Sequence, residues 1–342
     1  MASSPYPALI ALIALASPVD EQAVPFACPE AIAIPREMAI GTRYTEGDKS
    51  YSQIDPAAEA REQAVRQPIS APVSRIARLA DRWRTAVDAD KPEIAACLQM
   101  HFLTQANAQA MMGATSQYDA FYREWMIGSL AISYLKARSG LVSQHGANTV
   151  QAWLRTSGQQ IAETNIRRLA SGKNDNHLYW GGVAAMASGL ATDNAKLVAV
   201  GRRIRAAGLR AVATNGTLAA ELQRRALSFH YHLFAATALS AMIALDPSSI
   251  PSSQRAAMIR VATFVAREAG QLDSGVLATR TGVAQSAEDH PHQFYLIRPW
   301  VRDTATIDVL IAGVDPTYQF LGGNLDWLLA RLSDPPRSRR PK

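Results

Sequence analysis

The sequence predicts an all-α protein, and three observations carry that prediction. Apolar residues recur at spacings of three and four from Ser74 onward, strand-like alternation is scarce, and no Asn-Gly or Asp-Gly pair sits between two alternating runs. About ten helices joined by short loops fit a chain of 342 residues, and antiparallel helix pairs stacked into a curved array or toroid suit that number.

Taken in order, the elements begin with an apolar run, Ala8 to Ala16, too short to span a bilayer and followed by Ser17-Pro18. With small residues at Ala14 and Ala16 it reads as a secretory leader, residues 1–16, so export to the periplasm or beyond is expected. No other stretch reads as a membrane span. Residues 41–72 are polar, rich in Ser, Gln and charge, and interrupted by Pro56 and Pro68; they read as a long lid or binding loop with one helix near Ala57 to Val65. Ile76, Leu79, Ala80, Trp83 and Val87 then mark one helical stripe, and Tyr118, Phe121, Tyr122, Trp125 and Ile132 another, the second capped by Ser116 with Asp119 three residues on. Further helices are expected over Val150–Leu169, Gly182–Leu190, Ala195–Ala207, Leu218–Leu245, Ser253–Ala269, Thr304–Ala312 and Tyr318–Leu332. The end, 335–342, carries Arg337, Arg339, Arg340 and Lys342 with no acid and reads as a solvated tail. One domain, 17–334, lies between leader and tail.

Composition narrows the function. With 48% hydrophobic and 19% charged residues the chain can bury a sizeable core, which excludes a disordered or fibrous protein. Two cysteines, Cys28 and Cys97, exclude a thiolate zinc cluster and leave room for one bridge in an oxidising compartment. Four of the six net positive charges belong to the tail, the other basic residues are dispersed and no recognition module is present, so nucleic-acid binding is not expected. Dinucleotide, nucleophile-elbow and zincin motifs are absent. His230 and His232 diverge by about 200° on a helix and cannot share a metal, and His290 with His292 lacks a third ligand; neither metal nor organic cofactor is expected.

Two stretches carry chemistry. The first, Lys173 to Gly182, reads KNDNHLYWGG: an amide and an imidazole at a helix start, followed by two aromatics. Its plain structural reading is a capped helix with Asn176 as cap and Tyr179 and Trp180 packing. The second, Glu221 to Phe234, embeds Arg224, Arg225, His230, Tyr231 and His232 among apolar residues. On a continuous helix Arg224 and Tyr231 share one face, two turns apart, and Arg225 and His232 form a second such pair.

These residues, with Arg123 to Ser129, Tyr44 to Lys49 and Leu321-Gly322-Gly323, together resemble the bacterial mannuronate-specific alginate lyases, in the family's order from about Cys28 to Gly323. The Asn-His-x-Tyr-Trp block is the most specific part. The resemblance implies an incomplete (α/α) toroid with a deep cleft, a periplasmic location, an acidic polysaccharide substrate and cleavage by β-elimination, with the protein acting as a monomer. Elimination needs the uronate carboxylate neutralised, a base for the C5 proton and an acid for the departing O4. In mannuronate both lie on one side of the ring, so one tyrosine can serve both steps. The resemblance assigns these roles to Asn176 and Arg224 at the carboxylate, His177 beside it and Tyr231 as base and acid. Lys49, Trp125, Tyr179, Trp180 and His230 are the expected substrate contacts. A gapless match places Arg225 and His232, instead of Arg224 and Tyr231, at the catalytic positions, and the two registers stay open here. Phe320 stands where the family often has arginine before Leu-Gly-Gly, which leaves another uronate polymer, such as polyglucuronate, in view. The rivals are a catalytically altered carbohydrate-binding relative and a helical-toroid glycoside hydrolase using carboxylates such as Asp175, Glu221 and Glu288.

Overall fold

The computed structural model describes residues 26–333, apart from 114–115 and 287–289. The expected leader and basic tail lie outside the described residues, as does Glu288. The chain forms α1 (Pro56–Thr85), α2 (Lys91–Asn107), α3 (Gln117–Leu141), α4 (Ala147–Ala170), α5 (Asn176–Ala191), α6 (Ala195–Arg210), the single turn α7 (Ala219–Leu222), α8 (Ser228–Leu245) and α9 (Ser252–Glu268). Short helices α10 (Val276–Thr281), α11 (Phe294–Ile297) and α12 (Ala305–Ile311) follow, then the ribbon β1 (Thr317–Tyr318) and β2 (Gly323–Asn324), and α13 (Asp326–Ser333). The strands pair antiparallel, Thr317 opposite Asn324 and Tyr318 opposite Gly323. The all-α class is as the periodicity predicts.

Helix α5 is the hub, packing against α3, α4, α6 and α8. Every residue of α8 is buried, and α5 is nearly so, which suits helices apolar all round. The segment Arg225–Leu245 is long and apolar enough to cross a membrane, yet nearly all of it is buried inside the protein. Helix α3 opens with the expected capping box, Ser116 accepting from the Asp119 N–H and Asp119 from the Ser116 N–H, each at 3.0 Å.

Three expectations need correction. The loop expected over 41–72 ends at Asp55, whose side chain caps α1 by accepting from Ala57 and Ala58. Pro68 and Pro72 lie inside that helix; each omits one backbone bond, and burial of Ile69, Val73, Ile76, Ala77 and Ala80 on one face carries the helix past them. The helix expected over 218–245 breaks between α7 and α8, because Arg225 turns left-handed at φ 47°. The segment expected as a helix over 318–332 begins instead as the ribbon, with Gly322 and Gly323 at φ 76° and 89°. A Cβ on Gly323 would lie 2.4 Å from Asp81 Oδ2, so the pair of glycines is required by backbone and by space. Lys136 on α3 fastens this corner, its buried Nζ donating to Asp81 at 2.6 Å and to the Gly322 and Asn324 carbonyls at 2.6 and 2.7 Å.

Cys28 and Cys97 form a disulfide across 69 residues, tying the extended N-terminal segment to α2. Closing a loop of that length restricts the unfolded chain by about 4 kcal/mol. The expected result of Cys28→Ser with Cys97→Ser is a loss of about that size in urea unfolding, and a loss below about 1 kcal/mol would contradict the assignment of this stabilisation to loop closure.

Candidate active site

A cleft of about 1320 Å³ opens between the N-terminal loop, α3, the start of α5, α7–α8 and the ribbon corner. Arg43, Lys49, Arg66, Arg168, Lys173 and Arg224 line it, against Glu62, Glu124 and Asp175, so its lining favours an anionic occupant. Trp125 and Phe320 stack at 4.9 Å to form an aromatic wall.

The loop before α1 covers one side. Asp48 folds it: the carboxylate accepts from the backbone N–H groups of Ser50, Ser52 and Gln53 at 2.9, 2.7 and 2.8 Å, bonds that hold it at a pKa of about 2 despite the opposing cost of burial. The fold of the loop, with Tyr44 bridged to Ile54, sends the Tyr44 hydroxyl onto the hydroxyl of Tyr231. Lys49 stays exposed on the rim.

On the floor, Asp175 caps α5 by accepting the Leu178 N–H at 3.1 Å and pairs with Arg168 at 2.9 Å. The cap is therefore Asp175, not Asn176. His177 projects into the cleft, stacked on Phe121 at 3.6 Å between centroids and on Trp125 at 6.3 Å. Burial pushes its pKa down to about 3, so it is a neutral imidazole.

Tyr231 reaches the cleft from the first turn of α8, and Arg224 lies over its ring at 4.5 Å and over that of Tyr51 at 5.3 Å. The two meet although the helix between them is broken: the turn at 223–227, and not a shared helical face, brings them together. Burial raises the Tyr231 hydroxyl well above the usual phenol range, with the neighbouring Tyr44 adding to it, and Arg224 offsets only part of this. Tyr231 is therefore held as a phenol despite its neighbouring cation. His230 lines the same side, stacked on Phe234 at 5.9 Å.

Several expected contacts are absent from the cleft. Tyr179 and Trp180 are 0% and 1% exposed, enclosed by the helices around α5, and cannot stack on a sugar. Trp125 is the one aromatic of the expected three that reaches the cleft. Asn176 is also fully buried, and its amide nitrogen, the donor a carboxylate would need, is given to Glu221 at 2.9 Å. His232 is a core histidine, its Nε2 accepting the Leu218 N–H at 3.0 Å and its Nδ1 donating to the Ser228 carbonyl at 2.7 Å, while Arg225 is exposed outside the cleft lining. The geometry thus brings Arg224 and Tyr231, not Arg225 and His232, to the cleft. Of the rival carboxylates, Glu221 is fully buried and Asp175 is occupied as a cap. The described His/Cys/Asp/Glu group compact enough to hold an ion is Cys28, Cys97 and His101, and its sulfurs are bonded to each other. Sequence reasoning missed Tyr44, Tyr51 and Arg66; the first lay inside the segment singled out for Lys49.

Comparison with known proteins decides the family. The model of the family described as alginate lyase matches residues 39–271. The chain belongs to the alginate lyase family. It is 30% identical over 204 residues to a polysaccharide lyase of Stenotrophomonas maltophilia (strain K279a), covering 58% of this chain and 59% of that protein. With an alginate lyase of Cobetia marina it shares 29% identity over 160 residues, covering 45% and 42%. The chain therefore matches less than two thirds of the length of these curated relatives. Among solved structures, alginate lyase A1-III from Sphingomonas species A1 superposes with a TM-score of 0.60 at 19% identity, covering 88% of this chain and 86% of that one. A His-to-Ala variant of A1-III complexed with a tetrasaccharide gives 0.65 at 20%, covering 92% and 91%. These likenesses show the fold, a helical toroid like that of the alginate lyase family.

The buried titratable groups of the site and of the core around it make stability depend on pH. His177, His232 and His292 are held by burial at about 3, 4 and 4 against 6.5 in the unfolded chain, so unfolding takes up their protons and stability is lost as pH falls below 6.5. Glu124 and Glu221, both raised by burial from 4.5 to about 7, act oppositely: the folded state holds their protons first, and stability is gained as pH falls from 7 to 4.5. Below 4.5 the glutamates are protonated in both states, and the histidines act unopposed until the folded protein protonates them in turn, near 4 for His232 and His292 and near 3 for His177. Three histidines against two glutamates leave a net loss of about one proton's worth from pH 6.5 to 4.5, so the melting temperature should fall gently over that range and more steeply just below 4.5; calorimetry showing the steeper fall above pH 5 would contradict this balance.

Proposed function

We propose that this chain is an exported polysaccharide lyase that cleaves a mannuronate-type polyuronate, alginate first, by β-elimination, working as a monomer without metal or organic cofactor. The observation that carries the reading is the Tyr231 hydroxyl in a cation-lined cleft, met by the Tyr44 hydroxyl and covered by the Arg224 guanidinium. Arg224 and the neutral imidazole of His177 face the uronate carboxylate and stabilise the enediolate that develops as the C5 proton leaves. Tyr44 donates to the Tyr231 oxygen when that oxygen is charged, and Arg224 favours the same charge through the ring. The phenolate takes the C5 proton; as the C4–O4 bond breaks and the C4=C5 double bond forms, the same proton passes to O4 and the phenolate is regenerated. Because the hydroxyl titrates high, turnover should rise through the alkaline range. The reading of export is supported by the leader-like apolar run Ala8 to Ala16 and by the disulfide, which persists in an oxidising compartment.

Phe320 favours a second substrate. An aromatic wall with no cation at that position places less demand on a neighbouring carboxylate. Glucuronate shares its C4 and C5 configuration with mannuronate and differs at C2, so the same tyrosine serves both, whereas guluronate is inverted at C5. Incubation with polymannuronate, polyglucuronate and polyguluronate, followed by the ultraviolet absorbance of unsaturated uronate, tests this. Absorbance is expected with the first two and little with the third. Silence on all three with binding retained would favour the non-catalytic binding relative, and reducing ends without absorbance would mean hydrolysis.

A further inference from the structure

Glu221 joins the two halves of the site from beneath. It is fully buried on α7; Oε1 accepts the Asn176 backbone N–H at 2.7 Å, Oε2 accepts Asn176 Nδ2 at 2.9 Å, and Oε2 lies 3.8 Å from Arg224 Nε. The Asn176 N–H belongs to the first residue of α5 and has no partner within its own helix, so this carboxylate replaces the missing acceptor. Arg224 lies outside any helix, in the turn that contains the left-handed Arg225. Its guanidinium is placed by this ion pair and by the rings of Tyr51 and Tyr231.

We propose that Glu221 is the positioning residue of the site, holding Arg224 over Tyr231 and fixing the Asn176-His177 helix start opposite them, without touching substrate. The inference rests on the lyase reading above. Its chemistry is one-sided: the groups that meet the two carboxylate oxygens, Asn176 N, Asn176 Nδ2 and Arg224 Nε, are all donors. A proton on Glu221, or an amide in its place, turns one of those contacts into donor against donor. The charged groups around it are Arg224, which favours ionisation, and Asp175, which opposes it; the neighbouring Tyr179 hydroxyl, itself raised by burial and by Glu221, stays neutral. Burial outweighs Arg224 and brings the group to about 7, within the range where the anchor switches between its two forms.

The test uses the full chain with Glu221→Gln and Glu221→Asp. Gln should lower kcat on polymannuronate roughly 10- to 100-fold, as misplacement of a reacting group does, with KM nearly unchanged and the acidic limb near pH 7 lost. Asp, which keeps the charge on a shorter arm, should restore part of kcat and the limb. Wild-type kcat and an unchanged pH profile in Glu221→Gln would overturn the proposal. A crystal structure of the Gln variant reads the positioning apart from turnover: Arg224 displaced from the Tyr231 ring supports it, and Arg224 unmoved overturns it. If Gln prevents folding, the Asp variant decides, a folded protein with undiminished kcat being the contrary result. Failure of the lyase reading is distinguished by wild-type protein that turns over no uronate polymer; the position of Arg224 then decides the proposal alone.

Discussion

Tyr231→Phe is expected to lower kcat on polymannuronate by about 10³-fold or more, since one hydroxyl supplies both the base and the acid of the reaction. KM should stay close to that of the unaltered protein, because the ring remains under Arg224 and only an oxygen is removed. The fold should be undisturbed, because the phenol oxygen bonds the hydroxyl of Tyr44 on the covering loop and the ring itself is kept. His232→Ala gives the opposite pattern. It removes a core ring that accepts from Leu218 and donates to Ser228, so it should destabilise the protein while each folded molecule keeps most of its turnover. Steady-state kinetics with a measured folded fraction separates the two. Activity surviving Tyr231→Phe, or vanishing per folded molecule in His232→Ala, would restore the other register.

A loss of stability comparable to that of the disulfide should come from Lys136→Met. The ammonium is buried among one carboxylate and two carbonyls, and removing it leaves Asp81 charged beside the Asn324 N–H with its main counter-charge gone. Breaking a buried pair in this way costs about 3–5 kcal/mol, of the order of 10 °C in melting temperature. The corner it fastens also carries Phe320, which stacks on Trp125 in the cleft wall, so turnover should fall with stability. Urea unfolding gives the first quantity and initial rates at low temperature the second. A variant within about 1 kcal/mol of the unaltered protein would show that the glycine corner holds itself.

Much of this architecture was legible in the sequence, for identifiable reasons. Helices α3, α5 and α6 carry plain punctuation, Ser116 with Asp119, the polar turn before Asn176 and Asn194 before α6, whereas α2, which has no capping side chain, was not anticipated. What escaped was set by tertiary context. Pro68 reads as an interruption because the cost of a missing N–H is local, while the burial that carries the helix past it and past Pro72 depends on partners distant in sequence. The break at 223–227 left no mark, since arginine at a left-handed position has no compositional signal and the residues on both sides keep a helical period. Tyr179 and Trp180 look like sugar platforms by type, and only the enclosure of α5 on all sides makes them core. Asn176 and Glu221 show the same limit: which donors a buried carboxylate collects follows from how α5 and α7 meet, not from either segment. The pairing of Arg224 with Tyr231 was anticipated from helical spacing, and the fold reaches it by a turn.

The central claim is that Tyr231 removes the C5 proton of a mannuronate-type uronate and breaks the bond at O4. The most direct measurement is mass and absorbance analysis of the products formed from polymannuronate deuterated at C5. The predicted result is an unsaturated chain end that has lost its C5 deuterium, formed more slowly than from the undeuterated polymer and not formed by Tyr231→Phe. Saturated ends that keep the deuterium, or unsaturated ends formed at an undiminished rate by Tyr231→Phe, would contradict it.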